Sequence, residues 1–372
     1  MNRNRFLLLV AVTLAAVILV AVLERPGGDD PAEGGPLVPG LADAVNDIEA
    51  LDVVAPGGDI SVTLRRDEER WRVQEKDGYE AEFAQVVDVL RTLADARLEE
   101  PRTTSPDWYP RLGVQDIAEP DATGRRVDFP GRDLPSVLIG QADPSGEGSY
   151  ARRVGEAQSW LIDEIVELPV DPVAWVEPAI MDIPAGDIAE VIVRHADGET
   201  VQIKGTGEDD RQFVLMGVPE GREAGDAFER TSLANGLRAL NLEDVQRFEP
   251  PAPDDAARVL FTTTDGLNFI ADVFERDDRY WIHFTVSADD APASQQIDGG
   301  AGTAAGDNDA ADGAGRGAES LADAVAVDAR LSPWLYEIRE RRYEDLTPRM
   351  EDLLAPRDED GDAGGADQSS GG

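Results

Sequence analysis

The feature that most constrains the fold of this chain is a strand–helix–strand pattern that occurs twice. Residues 71–150 carry short alternating strands, one amphipathic helix and further strands, and residues 213–280 carry a fainter version of the same order. Alternating apolar and polar residues indicate strands with one buried face, and the short connections rich in Gly and Pro indicate hairpins. The pattern predicts an α+β fold of antiparallel meanders and disfavours a doubly wound parallel sheet.

In the first copy, Ile60, Val62 and Leu64 alternate with polar residues, and a helix over 81–99 is predicted to pack on the dry face of this meander. The apolar stripe of that helix comprises Phe83, Val86, Val87, Leu90, Leu93 and Ala94. Further strands are predicted at 48–55, 71–73, 126–129, 136–140, 150–154 and 159–163. The first domain is therefore expected over 47–186.

The second copy repeats this order with low sequence identity, which indicates an old duplication. Its helix is predicted at 228–240. Its strands are predicted at 188–195, 201–204, 213–215, 258–262, 269–274, 280–286 and 333–336. The second domain is therefore expected over 187–354, each domain being a meander with one packing helix.

An acidic segment at 288–328 interrupts the last hairpin of the second copy. It holds nine acids, one Arg and no aromatic residue. A long loop is tolerated because the entropy of closing it grows only logarithmically with length. The segment is predicted to be a disordered insertion, and the tail at 355–372, rich in Gly, Asp and Ser, is predicted to be disordered as well.

The N-terminal region has the composition of a membrane anchor. Residues 6–23 are apolar apart from Thr13, with Arg3 and Arg5 before them and acids after them. This length can cross a bilayer as a helix, and the charge bias places the N-terminus in the cytoplasm. We expect residues 1–25 to be a cytoplasmic stub with a single transmembrane helix in the inner membrane, residues 26–46 a disordered spacer, and the bulk of the chain to be periplasmic. A cleaved signal peptide is the competing interpretation.

The charge balance excludes one class of partner. With 76 acidic and 34 basic residues, the net charge is −42, so a nucleic acid backbone would be repelled. Lysine occurs only at Lys76 and Lys204. This acid-rich surface indicates a halophilic protein that works in concentrated salt, although a merely soluble acidic surface is the alternative. The absence of cysteine excludes disulfides, thiolate metal sites and a cysteine nucleophile.

Several short motifs resemble those of the bacterial family catalogued as domain of unknown function 4340. In the first copy they are Trp71-Arg72-Val73, Arg111-Leu112-Gly113-Val114, Leu138-Ile139-Gly140 and Tyr150-Ala151-Arg152; Asp171-Pro172 with Trp175 and Tyr343-Glu344-Asp345-Leu346 follow. Where the family usually has Gly-Leu, this chain has Val114 after Gly113. The resemblance implies an envelope protein associated with ABC-type transport systems like those of gliding motility, with no established catalytic residues.

The residues that could carry chemistry have weak patterns. The sequence contains no P-loop and no nucleophile elbow. His195 and His283 are predicted to be polar-face strand residues, because neither has an assignable nucleophile. Asp307, Asn308, Asp309 and Asp312 depart from the spacing of a calcium loop, and Asp182 with Asp187 is one of many carboxylate pairs. No catalytic, cofactor or metal site is predicted.

Three tryptophans are candidates for an aromatic strip that binds sugar or peptide. Trp160, Trp175 and Trp334 are instead predicted to lie in the core, because Trp160 and Trp334 occupy matching places in the two copies. The leading expectation is a non-catalytic, membrane-anchored accessory or scaffold protein of an ABC-type envelope transport system, with a transporter permease among its partners. A periplasmic ligand-binding module and an envelope hydrolase are the alternatives.

Overall fold

The computed structural model describes residues 33–207, 212–288 and 314–356, with side chains from residue 322 in the last range. The predicted membrane helix at 6–23, the Asp307 to Asp312 cluster and residues 357–372 lie outside these ranges. Within them, no helix has both the length and the apolar composition needed to cross a bilayer.

The first half of the described chain is dominated by antiparallel strands. They are β1 (Ala50–Val54), β2 (Ile60–Asp67), β3 (Arg70–Val73), β4 (Tyr79–Glu80), β5 (Leu98–Thr103), β6 (Arg125–Asp128), β7 (Val137–Ala142), β8 (Ser149–Arg153) and β9 (Ser159–Ile162). The helices are α1 (Leu41–Ala44), α2 (Phe83–Asp95) and α3 (Tyr109–Leu112). Eight of these strands pair in the order β3-β2-β1-β6-β7-β8-β9-β5.

The second half repeats this arrangement. Its strands are β10 (Ala179–Met181), β11 (Ile188–Arg194), β12 (Thr200–Gly205), β13 (Phe213–Leu215), β14 (Leu240–Asn241), β15 (Asp244–Arg247), β16 (Ala257–Thr263), β17 (Asn268–Arg276), β18 (Arg279–Ser287) and β19 (Trp334–Ile338). Its helices are α4 (Ala227–Ala234), α5 (Ala314–Leu331) and α6 (Glu340–Leu346). The order of its large sheet is β13-β12-β11-β16-β17-β18-β19-β15, which matches the first sheet strand for strand.

The register of the two sheets also corresponds. Val53 lies opposite Val62 and Val127 in the first sheet, and Val193 lies opposite Val201 and Val259 in the second. All of these valines are buried, and each contributes about 1.5–3 kcal/mol by leaving water. The predicted α+β class is therefore confirmed at the level of antiparallel sheets with a few helices.

Both predicted helices are shorter than expected. The first spans Phe83–Asp95 rather than 81–99, and the residues after it form β5, which pairs with β9. The second ends at Ala234 rather than 240, and β14 and β15 follow. Phe83 is 60% exposed, so its predicted place in the apolar stripe is wrong, while Val89 is buried. Helical spacing continues by chance into residues whose backbone groups are needed at a sheet edge.

The segment predicted to be a disordered spacer, 26–46, is folded from residue 33 onward. Leu37 and Leu41 are fully buried, and Arg153 donates a hydrogen bond from Nε to the Leu37 carbonyl at 2.8 Å. The Leu37 N–H donates to the carbonyl of Ala96 at 2.8 Å. The Gly and Pro content concealed a few apolar residues that are sufficient to order this segment.

The acidic segment predicted to be a disordered insertion, 288–328, includes part of helix α5. This helix packs on β18, Ala324 and Leu331 are buried, and the Asp328 carboxylate accepts the Val286 N–H at 2.8 Å. Alanine, the best helix former, is frequent in this helix. The predicted return strand at 333–336 is confirmed as β19, the antiparallel neighbour of β18.

The chain divides into two compact units at Trp175 rather than at residue 186. The first comprises the chain to Glu75 and Ala81–Trp175; the second comprises Lys76–Glu80 and the chain from Val176. Within the second unit, Tyr79 packs edge-on against Trp334 at 4.9 Å, and Lys76 Nζ lies 2.6 Å from Asp244 Oδ1. Burial raises the pKa of Tyr79 to about 12. A five-residue segment that follows β3 in sequence is therefore part of the second core.

Candidate functional site

Four polar side chains form a row across the second sheet. Arg194, Arg258, Asp272 and His283 lie on the adjacent strands β11, β16, β17 and β18, each directly opposite the next. Directly paired residues in an antiparallel sheet share a face, with Cβ atoms about 4.5–5.5 Å apart. The register of four strands thus brings these residues to one face.

The centre of the row is an ion pair. Arg258 donates from Nε to Asp272 Oδ1 at 2.8 Å and from Nη2 to Oδ2 at 3.3 Å. The hydrogen bonds to Asp272 raise the pKa of Arg258. The Arg258 side chain is 39% exposed and that of Asp272 is 14% exposed, so the pair is accessible from one side. The pair fixes a forked donor beside a carboxylate.

Both histidines of the protein border the same cleft. His283 is 5% exposed, its Nε2 lies 2.9 Å from the Ser332 carbonyl oxygen, and Phe248 stacks on its ring at 3.5 Å. His195 Nε2 lies 3.1 Å from the carbonyl oxygen of Pro348. A carbonyl oxygen can only accept, so Nε2 carries the proton in both rings and Nδ1 is the acceptor in the neutral form. Burial lowers the pKa of His283.

The cleft has a volume of about 520 Å³, within the range typical of small-molecule sites. Its rim is the short connection between β15 and β16, which contains Pro250, Pro251 and Pro253. Apolar side chains flank the row on the same face of the sheet. Ile192, Leu260 and Ile270 form one cluster, and Phe274, Trp281 and Leu335 form the other. The row is thus a polar strip between two apolar clusters.

The corresponding row of the first unit is covered. Val54, Arg126, Leu138 and Arg152 are paired across β1, β6, β7 and β8 at the same steps of the register. Residues 104–124 lie on this face: Ile117 packs with Val54 and Leu138 in a buried cluster. Arg152 donates to the Val114 carbonyl at 2.8 Å and to Asp116 Oδ1 at 2.7 Å.

Glycines permit the covering segment to lie this close. A Cβ at Gly140 would meet the Leu112 carbonyl oxygen at 2.0 Å, and one at Gly124 would meet the Gly113 carbonyl oxygen at 2.1 Å. Gly113 itself ends α3 with a φ of 71°. The motif segments Arg111–Val114 and Leu138–Gly140 are therefore in direct backbone contact, which explains why glycine is required at both ends of that contact.

The tryptophans considered as a binding strip lie in the core. Trp160 and Trp334 are 6% and 7% exposed, and Trp175 is fully buried with its Nε1 donating to the Pro169 carbonyl at 2.9 Å. The predicted correspondence between Trp160 and Trp334 is wrong by two residues. Trp160 pairs with Ala151, and at the matching step of the second sheet Tyr336 pairs with Ile282.

The carboxylate pair considered in the sequence, Asp182 and Asp187, takes part in hydrogen bonds with backbone N–H groups. The Asp182 carboxylate accepts the Ala239 N–H at 2.9 Å, which is a turn contact, and the Asp187 carbonyl accepts the Thr264 N–H at 2.8 Å. Among the described residues no group of three or more acidic or histidine side chains is arranged to hold a metal ion. The prediction of polar-face histidines missed their convergence. The available signal was two charged residues, Arg258 and Asp272, on the strand face that also carries Leu260, Ile270 and Phe274.

Comparison with known proteins gives one result. A family model described as Domain of unknown function (DUF4340) matches residues 71–260, about half of the 372 residues. The match begins at β3 and ends within β16, so it covers most of the first unit and the first strands of the second. No curated protein and no solved structure matches the chain.

Proposed function

Because the chain belongs to the family described as domain of unknown function DUF4340, we propose that it is a non-catalytic accessory protein of an envelope transport system. In this proposal residues 6–23 anchor it in the inner membrane and both units lie in the periplasm. The protein acts by binding a small polar ligand in the cleft of its second unit. A transporter permease then receives the ligand or recognises the ligand-bound protein.

The topology is supported by the N-terminal sequence. An apolar run of spanning length, with Arg3 and Arg5 before it and Glu24 after it, favours a single helix with a cytoplasmic N-terminus. The link to an ABC-type system, like those of gliding motility, rests on the resemblance of the motifs to the family. The acid-rich, lysine-poor composition supports a halophilic surface.

The observation that carries the binding proposal is the open row of Arg194, Arg258, Asp272 and His283 in a cleft of about 520 Å³. Arg258 has a third guanidinium nitrogen, Nη1, beyond the two that bind Asp272. It suits a ligand carboxylate, and the Nδ1 atoms of the two histidines suit hydroxyl or ammonium donors. The cleft therefore fits a small amino acid or hydroxy acid.

Binding is favoured over turnover by the way these groups are already engaged. Both histidines donate to backbone carbonyls, and Asp272 is held by Arg258. A general base needs a nucleophile within hydrogen-bond reach, and these contacts orient the side chains as fixed recognition groups. An envelope hydrolase is thus the weaker alternative.

The binding proposal is tested on the full-length protein in mild detergent with a panel of amino acids and hydroxy acids. Thermal shift identifies a ligand, and calorimetry measures its affinity. Arg258→Gln is expected to weaken binding at least tenfold, whereas Arg126→Gln, at the matching place of the first unit, is expected to leave it unchanged. Equal effects of the two substitutions, or the absence of any ligand, would reject the cleft as the site.

The accessory role is tested separately by affinity capture of the anchored protein from its own membranes. Recovery of ABC permease components, retained when the cleft carries Arg258→Gln, supports the transport association independently of the ligand. Their absence, with a ligand bound tightly, would leave a periplasmic binding module. Turnover of an envelope substrate by the purified protein, lost on His283→Gln, would instead identify a hydrolase.

A further inference from the structure

A second cleft lies in the first unit, between part of the segment that covers its sheet and residues of β5 and β8. It has a volume of about 470 Å³ and is lined by Arg102, Thr103, Trp108, Arg111, Leu112 and Tyr150. Two arginines stand over two aromatic rings: the Arg111 Cζ atom lies 4.3 Å from the Trp108 ring centroid, and the Arg102 Cζ atom lies 5.6 Å from that of Tyr150. Trp108 is 51% exposed.

The backbone turn that carries the exposed indole is fixed by the contacts of the next residue, Tyr109. Trp108 ends a short 3-10 turn (Pro106–Trp108) that leads directly into α3, and the next residue, Tyr109, is buried. The Tyr109 hydroxyl donates to the Ala157 carbonyl, and the Arg152 guanidinium lies 4.6 Å from its ring centroid. Because these contacts fix the turn, the Trp108 ring is presented without a large ordering cost on binding.

The opposite wall is oriented by hydrogen bonds. The Tyr150 hydroxyl donates to Asp143 Oδ1, and Asp143 also accepts from the hydroxyl and N–H of Ser145. Hydrogen bonds from Ser145 and then Tyr150 lower the pKa of Asp143 to about 2. Arg102 is shared between the Tyr150 ring and Glu100, whose carboxylate is 3.2 Å away. Among the described residues the Arg111 guanidinium makes no hydrogen bond and no ion pair, and it lies over the Trp108 ring.

We propose that this cleft binds an anionic carbohydrate. The apolar face of a pyranose ring stacks on the part of the Trp108 indole that the Arg111 guanidinium leaves exposed. The guanidinium that lies over the same indole pairs with a carboxylate or phosphate on the sugar. The net charge of −42 of the whole chain opposes a long polyanion such as a nucleic acid, but a single charged sugar meets the two arginines that line the cleft. This site is distinct from the histidine cleft, and the inference does not depend on the proposed function.

The experiment uses the full-length protein in mild detergent and three probes: glucuronate, glucose 6-phosphate and uncharged glucose. Saturation-transfer NMR detects contact and calorimetry measures affinity. At least one charged sugar is expected to bind tenfold or more tightly than glucose. Preference between the two charged probes assigns a carboxylate or a phosphate as the recognised group.

Trp108→Ala is expected to weaken binding of the charged sugar at least tenfold, and Arg111→Gln to abolish the preference over glucose. Phe228→Ala, which removes another exposed aromatic ring from the second unit, is the matched control and leaves binding unchanged. Equal affinity for glucose and the charged sugars, or wild-type affinity in Trp108→Ala, would overturn the proposal. Failure here leaves the Arg258→Gln test of the histidine cleft unaffected, so the two outcomes are distinguishable.

Discussion

The two sheets share one strand order, yet the corresponding faces have opposite fates. In the first unit the connection between β5 and β6 comprises residues 104–124 and covers the row that contains Leu138 and Arg152. In the second unit the connection between β15 and β16 comprises only 248–256, and the row that contains Asp272 and His283 borders a cleft. A shared scaffold therefore gives a buried face in one unit and an open one in the other.

One pair of matched positions explains much of this difference. Gly140 follows Ile139, which pairs with Ala151, and at the same step of the second sheet Phe274 follows Val273, which pairs with Ile282. The absent side chain at Gly140 allows the Leu112 carbonyl to approach the strand. At the matching position the second sheet carries the Phe274 ring, which packs against Trp281. A backbone segment can lie on the first face and cannot lie as close on the second.

Among the proposed substitutions, Gly140→Ala is expected to destabilise the protein most, because it disturbs the packing of the covering segment on the first sheet. Its Cβ would lie 2.0 Å from a backbone oxygen that no side-chain rotation can move away. We expect a loss of about 4 kcal/mol in the free energy of unfolding, measured by urea titration. Gly186→Ala is the control, since a Cβ there meets nothing within 4 Å, and it should change stability by less than about 0.5 kcal/mol. A near-neutral Gly140→Ala would show that the covering segment is not in tight contact.

Matched alanine substitutions in the two rows give the next largest effects. Leu138 is 1% exposed and packs with Val54 and Ile117, so Leu138→Ala should cost about 3 kcal/mol through lost burial and a residual cavity. Asp272→Ala removes one partner of an accessible ion pair, which should cost about 1 kcal/mol or less. Chemical denaturation of both variants measures the difference. Equal costs would mean that the second face is as tightly packed as the first.

The sequence predicted the alternating strands well, because alternation of apolar and polar residues is a local property. It did not predict the strands β4, β5, β10, β14 and β15. The positions of Val62 and Leu64, or of Phe269 to Phe274, are decided by one buried face, and the prediction found them within a residue or two. The predicted ends of the helices were wrong because the pairing of the following residues with distant strands decides where each helix stops. Leu98 has helical spacing from Leu90 and Ala94, but its backbone is taken by β9, which lies far along the chain.

The candidate cleft could not be predicted for the same reason. Arg194, Arg258, Asp272 and His283 are separated by many residues, and only the register of four strands makes them neighbours. The sequence placed both histidines on strands, which holds for His283 in β18, whereas His195 lies one residue after the end of β11. It could not determine that the two side chains border one cleft. The exposed Trp108 was equally hidden, because a tryptophan near Tyr109 and Leu112 has the composition of a core turn.

The smallest expected effect is a pH dependence that distinguishes His283 from Arg152, its counterpart in the covered row. Burial against Phe248, opposed by the Ser332 carbonyl, Asp272 and Asp328, lowers the pKa of His283 below the value of about 6.5 in the unfolded chain. The unfolded state therefore binds the proton first, and the stability from the neutral ring, complete above pH 6.5, is lost as the pH falls. We expect the wild type to lose more unfolding free energy than His283→Gln when the pH falls from 7.5 to 5, by an amount smaller than any effect above.

Comparing each pH with the variant removes the contribution of the carboxylates that both proteins share. The corresponding difference for Arg152→Gln should stay constant, because a guanidinium remains charged throughout this range. Parallel pH profiles for wild type and His283→Gln would contradict a neutral, buried imidazole beside the open cleft.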